Sequence, residues 1–338
     1  MEKTGIERKD LSLKNTGRIS ESISRFGVYF ILILLVIAGA FVNPKFLSLE
    51  NFRNIIHAVS FLGIICSGMA FITYSGHFAD MSVPINIALS GILAITGMKL
   101  GFVPGLLLGI TGGLSIGIAN AVVIGKLRAN PIIWTLAMNF VVSGIVRWAW
   151  SNKQIYPDVE SGGTVAGDMF TNIARTTIFG IPLSIIVMVV LLLLMQFILS
   201  KTRYGKQLKV IGSNYETAKM SGINAARSVG IAYILTALMA SVAGIFITSF
   251  AKVGAYYNGE GYDFKAVTAI ILGGMTLSGG RGNMMGVLGG VLTVGLLSNI
   301  MTLIGIGTFE QQIITGIIFI AIVWVNTNSL RRLGRDNV

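Results

Sequence analysis

The sequence predicts an all-α polytopic membrane protein with about ten transmembrane helices. Charged residues make up 12% of its 338 residues, against about 25% in soluble domains, and the mean hydropathy is +0.77. Uncharged runs such as 177–200 are long enough to cross a bilayer, which takes about 20 mainly apolar residues. Because the basic residues lie mainly between these runs, the net charge of +12 indicates membrane topology rather than nucleic-acid binding.

The apolar runs divide the chain in order. The predicted spans are 27–43, 54–75, 82–98, 102–123, 130–150, 178–199, 229–250, 264–279, 284–303 and 309–327. With the N-terminus in the cytoplasm, most of the 26 basic residues fall in cytoplasmic segments, as the positive-inside rule requires. The sequence thus predicts a cytoplasmic tail at 1–26, a single transmembrane domain at 27–327 and a cytoplasmic C-terminal tail at 328–338.

The first 40 residues have a second interpretation. A cleaved signal peptide is the alternative, because Ala38-Gly39-Ala40 resembles a cleavage site. The polar lead of about 25 residues is long for a signal peptide, and all the other spans follow it. We therefore favour an uncleaved first span.

Glycines recur at every fourth position in two spans. They are Gly101, Gly105, Gly109, Gly113 and Gly117 in span four, and Gly282, Gly286 and Gly290 around span nine. Small residues at this spacing share one helix face and let helix backbones approach closely in lipid. Between spans eight and nine, Arg281 is predicted to lie in a tight turn on the cytoplasmic side. The predicted turn and packing residues are Gly273, Gly274, Gly279, Gly280, Arg281, Gly282 and Gly286.

A weak internal similarity relates spans four and nine. The stretch "GLSIGIAN" at 113–120 resembles "VLTVGLLSN" at 291–299. Because these two spans cross in opposite directions, spans 2–5 and 7–10 are candidates for the inverted repeat that many transporters contain. Chance similarity explains two such short matches equally well.

The segment 200–228 between spans six and seven is long and polar. Within it, 215–220 has a helix-favouring composition, Asn214 is a suitable N-cap, and Gly222 is a suitable left-handed terminator. A short helix between flexible loops suits docking to a soluble partner. A basic, solvated anchor loop fits the same composition.

This segment contains "TRYGKQLKVIGSNYETAKMSGIN", which resembles the cytoplasmic loop of bacterial ABC importer permeases for monosaccharides of the ribose, xylose, arabinose and galactose type. The matching positions are Thr202, Gly205, Gly212, Asn214, Ala218, Ser221, Gly222, Ile223 and Asn224. A second block at 262–286, "YDFKAVTAIILGGMTLSGGRGNMMG", resembles a late block of the same family. With shorter matches at Asn120 and Thr135, the similarity runs from about residue 27 to 327.

The resemblance implies the ten-helix, type II fold shared with the cobalamin importer permease. It implies two permease chains, identical or paralogous, around one pathway, and an external binding protein, periplasmic or lipid-anchored, that delivers the sugar. It also implies two cytoplasmic ATPase domains that dock on 200–228. The coupling residues that it implies are Gly212, Asn214, Glu216, Ala218, Ser221, Gly222, Ile223 and Asn224.

The chain has no G-x-x-x-x-G-K-[ST] phosphate loop. ATP and Mg²⁺ are therefore expected on the partner ATPase, and neither a cofactor, a metal nor a catalytic residue is expected in this chain.

The stretch 75–84, "SGHFADMSVP", departs from the G-G-I-D-L-S-V-G of the family by one inserted residue and by Pro84 in place of a glycine. Asp80 and Ser82 remain, and either can cap the next helix, whose first turn accepts a proline. A proton-carrying Asp80 is the alternative, because acids inside a membrane are functional by default. We favour a cap, with Asp80 near the inner surface.

Polar side chains inside the spans are candidates for the sugar pathway. The predicted pathway residues are Asn86, Asn120 and Asn139. Interhelical hydrogen bonds explain such asparagines as well. The acids that could dock the binding protein, or else face solvent, are Asp158, Glu160, Asp168, Glu260 and Asp263.

A stand-alone, ion-coupled secondary transporter is the alternative to an importer subunit. It needs membrane-centred carboxylates, for which the candidates are Asp80 and Glu310. A membrane enzyme lacks support, because the sequence shows neither a nucleophile–base pair nor a metal-ligand cluster and has a single cysteine, Cys66. Sugar alcohols, nucleosides and furanosyl signal molecules stay open as related cargos.

Overall fold

The computed structural model of the chain describes residues 28–335, with side chains to residue 324. The predicted N-terminal tail, 1–26, lies outside the described residues. Within them the chain is mostly helical. The helices are α1 (Val28–Val42), α2 (Leu49–Tyr74), α3 (Val83–Gly97), α4 (Phe102–Asn120), α5 (Pro131–Ala149), α6 (Pro157–Glu160), α7 (Val165–Asn172), α8 (Leu183–Lys201), α9 (Arg203–Ser213), α10 (Tyr215–Met220), α11 (Ala225–Ala251), α12 (Tyr262–Leu272), α13 (Met284–Leu303) and α14 (Thr308–Arg335).

Shorter elements complete the described chain. Two 3₁₀ turns lie at Pro44–Leu47 and Ile173–Arg175, a third extends α3 to Leu100, and a π-helical stretch extends α4 to Lys126. The strands β1 (Thr177–Ile178) and β2 (Ile181–Pro182) form an antiparallel hairpin in which Thr177 pairs with Pro182.

Seven of the described helices are long and apolar enough to cross a membrane. They are α2, α3 with its extension, α4 with its extension, α5, α8, α11 and α13. Two shorter apolar helices, Val28–Val42 and Thr308–Trp324, match the predicted first and tenth spans. The last helix continues to Arg335, past the boundary predicted between the transmembrane domain and the C-terminal tail.

The predicted eighth span, 264–279, is wrong as a full crossing. Helix α12 has eleven residues, which rise about 16 Å, and the hydrocarbon core is about 30 Å thick. The apolar run continues beyond Leu272, but Gly273 and Gly274 end the helix, and Gly274 takes a φ of 85°. An irregular segment, 273–283, then leads to α13.

Two faces of the helix bundle carry different connections. We call the face formed by α9 and α10 (Arg203–Met220) the α9/α10 face. The opposite face carries α6, α7 and the β-hairpin, and we call it the hairpin face. Helix α8 joins the two, since it begins at the hairpin and ends at α9.

The buried centre of the bundle is built by two long helices, α2 and α11. Helix α11 packs against α3 and α4, while α2 packs against α12 and α13. Helices α3 and α4 also pack on each other, as do α12 and α13. The same arrangement thus occurs twice, once with α11 (predicted span 7) on α3 and α4 (spans 3 and 4), and once with α2 (span 2) on α12 and α13 (spans 8 and 9).

The predicted glycine ladders lie where helix backbones meet. A Cβ atom on Gly109 would lie 2.6 Å from the Ser90 carbonyl oxygen of α3, and one on Gly117 would collide with Ala237 of α11. On α13, Gly286 and Gly290 face the backbone of α12 at Gly273 and Ala269. The ladders therefore permit the close approach that the sequence predicts.

Candidate functional site

The best-defined feature of the α9/α10 face is the short helix α10. The Asn214 side chain accepts a hydrogen bond from the Thr217 amide (3.0 Å), and Gly222 follows the helix with a φ of 71°. The next helix, α11, begins with an equivalent cap, in which Asn224 accepts from the Arg227 amide (3.0 Å). The predicted helix at 215–220 and its two end signals are confirmed, because both signals are local.

Helix α10 presents a free surface while one residue anchors it. Ala218 is fully buried, whereas Tyr215, Glu216 and Lys219 are exposed and Met220 is 89% exposed. A large apolar side chain held out on a capped, six-residue helix is suited to insertion into another protein.

Helix α9 is a feature that sequence reasoning missed. Its Thr202 side chain accepts from the Gly205 amide (3.3 Å), and Leu208 and Ile211 are buried. The Tyr204 hydroxyl donates to the Ser228 carbonyl (3.0 Å), and burial raises the pKa of this phenol, so it stays a donor. The signal was the apolar spacing Tyr204, Leu208, Ile211 within a basic loop.

The segment 200–228, which we call the predicted coupling segment, also contacts the loop between α4 and α5. The Arg128 guanidinium lies over the Tyr215 ring, 5.8 Å from its centroid. Beside this pair is a cleft of about 470 Å³ lined by His77, Asn130 and the first residues of α11. Helix α10 thus lies beside the residues that precede α5.

The segment 273–283, which contains the predicted turn at Arg281, lies against the predicted coupling segment. Gly279, Gly280 and Gly282 have φ angles of 82°, 72° and 123°, and Arg281 is exposed. The Gly280 amide donates to the Tyr74 carbonyl at the end of α2 (2.8 Å). Two groups of residues predicted separately, the turn and the coupling segment, thus meet at the end of α2.

Asp80 is the centre of a buried polar cluster. Its carboxylate accepts from the Ser82 amide (2.8 Å), the Ser82 hydroxyl and the Asn120 side chain (3.1 Å). Asn120 also donates to the Ser82 hydroxyl (2.9 Å) and accepts from the Trp134 indole (3.0 Å). The cluster ties the start of α3 to the end of α4 and to α5.

The predicted capping role of Asp80 and Ser82 is wrong. Ser82 is at the N-cap position of α3, but neither side chain bonds the free amides of the first turn, because both are engaged within the cluster. Pro84, which has no amide hydrogen, occupies that first turn instead.

The three predicted pathway residues have different surroundings. Asn86 is buried and donates to the Gly113 carbonyl (3.2 Å) while accepting from Ser90 and Ser241. Asn120 belongs to the Asp80 cluster, and Asn139 is half-buried on α5. The first two hold helices together in this conformation, and their part in a pathway stays a prediction.

The predicted docking acids do not form one surface. Asp158 and Asp168 are exposed on α6 and α7, and Glu160 pairs with Lys99 (2.8 Å). Asp263 is half-buried in the first turn of α12. The residues before that turn lie away from the hairpin face. Gly259, for example, packs against Pro84 at the start of α3.

Comparison with known proteins agrees with this architecture. Residues 51–323 match the family model described as "Branched-chain amino acid transport system / permease component". No solved structure matches the chain significantly.

Curated relatives match nearly the whole chain. The ribose import permease protein RbsC of Bacillus subtilis is 35% identical, over 89% of this chain and 92% of its own length. The L-arabinose transport system permease protein AraH of Escherichia coli is 32% identical, over 88% and 89%. The probable ABC transporter permease protein YphD of Escherichia coli is 32% identical, over 94% and 93%. The chain therefore belongs to the family of branched-chain amino acid transport system permease components, as a multi-pass membrane permease similar to those of sugar ABC importers.

Proposed function

We propose that this chain is the membrane-spanning permease subunit of an ATP-driven ABC importer that translocates a monosaccharide or a similar small polar solute. The observation that carries the proposal is α10, a capped helix with Met220 and Glu216 exposed, anchored by Ala218 and joined to the α4–α5 loop through Arg128 and Tyr215. The relatives named for ribose and arabinose support the cargo class.

The partners follow from this role. A separate ATPase binds ATP and Mg²⁺ and docks on α10, since the chain lacks a phosphate-loop sequence. A second permease chain, identical or paralogous, completes the pathway, and an external solute-binding protein delivers the sugar. The chain itself catalyses no reaction.

The orientation follows from the positive-inside rule. The α9/α10 face carries many basic residues of the segment 200–228 and is cytoplasmic, as are both termini. The hairpin face is then external, in the plasma membrane of a bacterium. The duplicated packing, in which α11 lies on α3 and α4 and α2 lies on α12 and α13, supports an inverted repeat and the ten-helix, type II permease fold.

A purification tests this function against the ion-coupled alternative. The tagged chain is extracted gently from its native membrane and the co-purifying proteins are identified. We expect a stoichiometric ATPase with a phosphate-loop sequence, and ATP-dependent uptake of ribose, arabinose, xylose or galactose once the complex and its binding protein are reconstituted. A chain that purifies alone and drives ion-dependent uptake would contradict the proposal, and ATP-driven uptake of leucine alone would contradict the cargo.

A matched pair of surface variants locates the docking site. Met220→Asp places a charge on α10, and Met169→Asp places the same charge on α7, where the side chain is 47% exposed on the hairpin face. We expect Met220→Asp to release the ATPase and Met169→Asp to retain it. Equal retention in both variants would remove α10 as the docking helix.

A further inference from the structure

The segment that joins α11 to α12 enters the membrane from the hairpin face. Gly254 exchanges two backbone hydrogen bonds with Ile155 (2.8 and 2.9 Å) and lies beside Ile95, near the hairpin-face end of α3. Gly259 lies against Pro84 at the other end of α3. Pro84 and Ile95 are about 16 Å apart along the helix axis, so the segment descends through about half of the hydrocarbon core.

The first turn of α12 therefore lies near the middle of the membrane, and it is charged. Glu260 is exposed, and Asp263 and Lys265 are half-buried. Among residues 28–324 none of these three side chains forms an ion pair. Charged residues at this depth do not face lipid; they face a water-filled cavity or a substrate path.

Aromatic rings lie beside these charges. Phe264 is 43% exposed and meets Phe319 of α14 edge-to-face, with ring centroids 5.7 Å apart. Phe319 meets Phe78 in the same way at 5.8 Å, and Phe78 belongs to the segment that precedes α3. The segment before α3 and the first turn of α12 thus meet at one aromatic group.

The exposed part of α12 is confined to its first turn. After that turn, Ala266 to Ile270 are buried against α2 and α13.

We propose that Glu260, Asp263 and Phe264, whose spacing places them on one side of the start of α12, form a mid-membrane contact site for a polyhydroxylated monosaccharide, which rests on the importer function proposed above. Lys265 lies outside this site, because its ammonium lies over the Tyr262 ring, 5.7 Å from the ring centroid. Carboxylates accept hydrogen bonds from sugar hydroxyls. The exposed Phe264 face packs on the apolar C–H face of a sugar ring. Broken helices that meet at the membrane midplane form substrate sites in other transporters. Asn86 and Asn120 lie outside this site because their polar atoms already bond to the protein.

Accessibility to water provides the first test and needs no knowledge of the cargo. The only cysteine, Cys66, is buried, so Cys66→Ala supplies a background without thiols. Glu260→Cys and Phe264→Cys are introduced into the complete importer in proteoliposomes. The introduced thiols are then treated with a charged, membrane-impermeant methanethiosulfonate from the hairpin-face side. Control thiols come from Phe140→Cys on α5 and Ile317→Cys on α14, which are 72% and 61% exposed.

We expect the two site positions to react at least about tenfold faster than the controls, because the reagent requires a hydrated thiolate. We also expect a saturating concentration of the transported sugar, chosen among ribose, arabinose, xylose and galactose, to slow the reaction. Equal rates at site and control positions would overturn the proposal, and so would fast labelling that the transported sugar leaves unchanged.

Uptake by the same importer provides the second test. Glu260→Gln is compared with Glu50→Gln, which alters an exposed glutamate at the start of α2. We expect about a tenfold lower uptake rate for Glu260→Gln, the effect of one weakened charged hydrogen bond, with unchanged ATPase binding, and normal uptake for Glu50→Gln. Normal uptake by Glu260→Gln would overturn this site alone. Absence of sugar uptake in the unmodified importer would overturn the proposed function instead, and the labelling rates would still decide whether the site is an aqueous path.

Discussion

Gly212 of α9 and Gly280 of the turn before α13 meet backbone to backbone: a Cβ atom on Gly212 would lie 2.6 Å from the Gly280 nitrogen. That nitrogen donates to the Tyr74 carbonyl at the end of α2. The proposed coupling segment is therefore in direct contact with two parts of the membrane domain. A movement of α9 and α10 would reach α2 and α13 without passing through a flexible linker.

Gly212→Ala tests this contact. The added methyl group overlaps backbone atoms, which cannot rotate away, so we expect a loss of about 1–3 kcal/mol of stability and a loss of solute uptake. Gly144→Ala is the matched control, because a Cβ atom at that helical position meets nothing within 4 Å. Thermal unfolding of the purified variants and uptake by the reconstituted importer provide the measurements. Equal unfolding temperatures and equal uptake rates for the two variants would show that Gly212 and Gly280 are not tightly packed.

Gly222→Asp tests the end of α10. The φ of 71° favours glycine, and a left-handed residue with a side chain costs about 1–2 kcal/mol. Gly305→Asp has the same backbone strain, with a φ of 82° and open space around it, but lies on the hairpin face. We expect the first variant alone to lose uptake while both insert into the membrane. Normal uptake by Gly222→Asp would argue against a coupling role for this turn.

Exchanging the side chains of Asp80 and Asn120 tests the hydrogen bond between them. Asp80→Asn places two amide donors against each other, and Asn120→Asp places two carboxylates together, so each single change should lower stability by about 1–3 kcal/mol. The double change restores one acceptor opposite one donor and keeps an acceptor for the Trp134 indole. We expect it to recover part of the loss in a thermal unfolding assay. Additive losses would mean that the two side chains do not interact.

Alanine substitutions at two neighbouring glycines of α4, Gly112 and Gly113, should differ in their effect on stability. A methyl group on Gly113 would collide with Ser241, Asn86 and Ser90 where three helices meet, so Gly113→Ala should destabilise the protein by about 1–3 kcal/mol. At Gly112 the nearest group is the flexible end of Leu93, and the helix propensity of alanine, about 1 kcal/mol better than that of glycine, should offset the contact. Unfolding temperatures of the two variants in one detergent decide the comparison.

Predictions from the sequence succeeded where the signal was local. The helix at 215–220 followed from Asn214 and Gly222, whose hydrogen bond and backbone conformation involve only adjacent residues. The eighth span failed because apolar residues continue past the point where the glycines end α12. Helix α9 was missed because its basic residues suggested a solvated loop, whereas its apolar side packs on the bundle.

The candidate sites show the same limit. The family blocks pointed to the segment 200–228 and to the turn at Arg281, but not to the contact between Gly212 and Gly280. Asp80 was expected to cap α3; this expectation failed because the partners of Asp80 include Asn120, which is 40 positions away. Glu260 was expected in an external segment, and the sequence alone does not show that the neighbouring Gly259 packs against Pro84.

The sequence by itself determined that this chain is a helical membrane protein, where most of its helices run and how α10 begins and ends, because hydropathy and capping depend on neighbouring residues. Only the tertiary structure decided that α12 is too short to cross the membrane, that Asp80 lies inside a hydrogen-bonded cluster and that Gly259, next to Glu260, packs against Pro84 at the start of α3. These features depend on contacts between segments far apart in the chain, and such contacts exist only after the helices have packed.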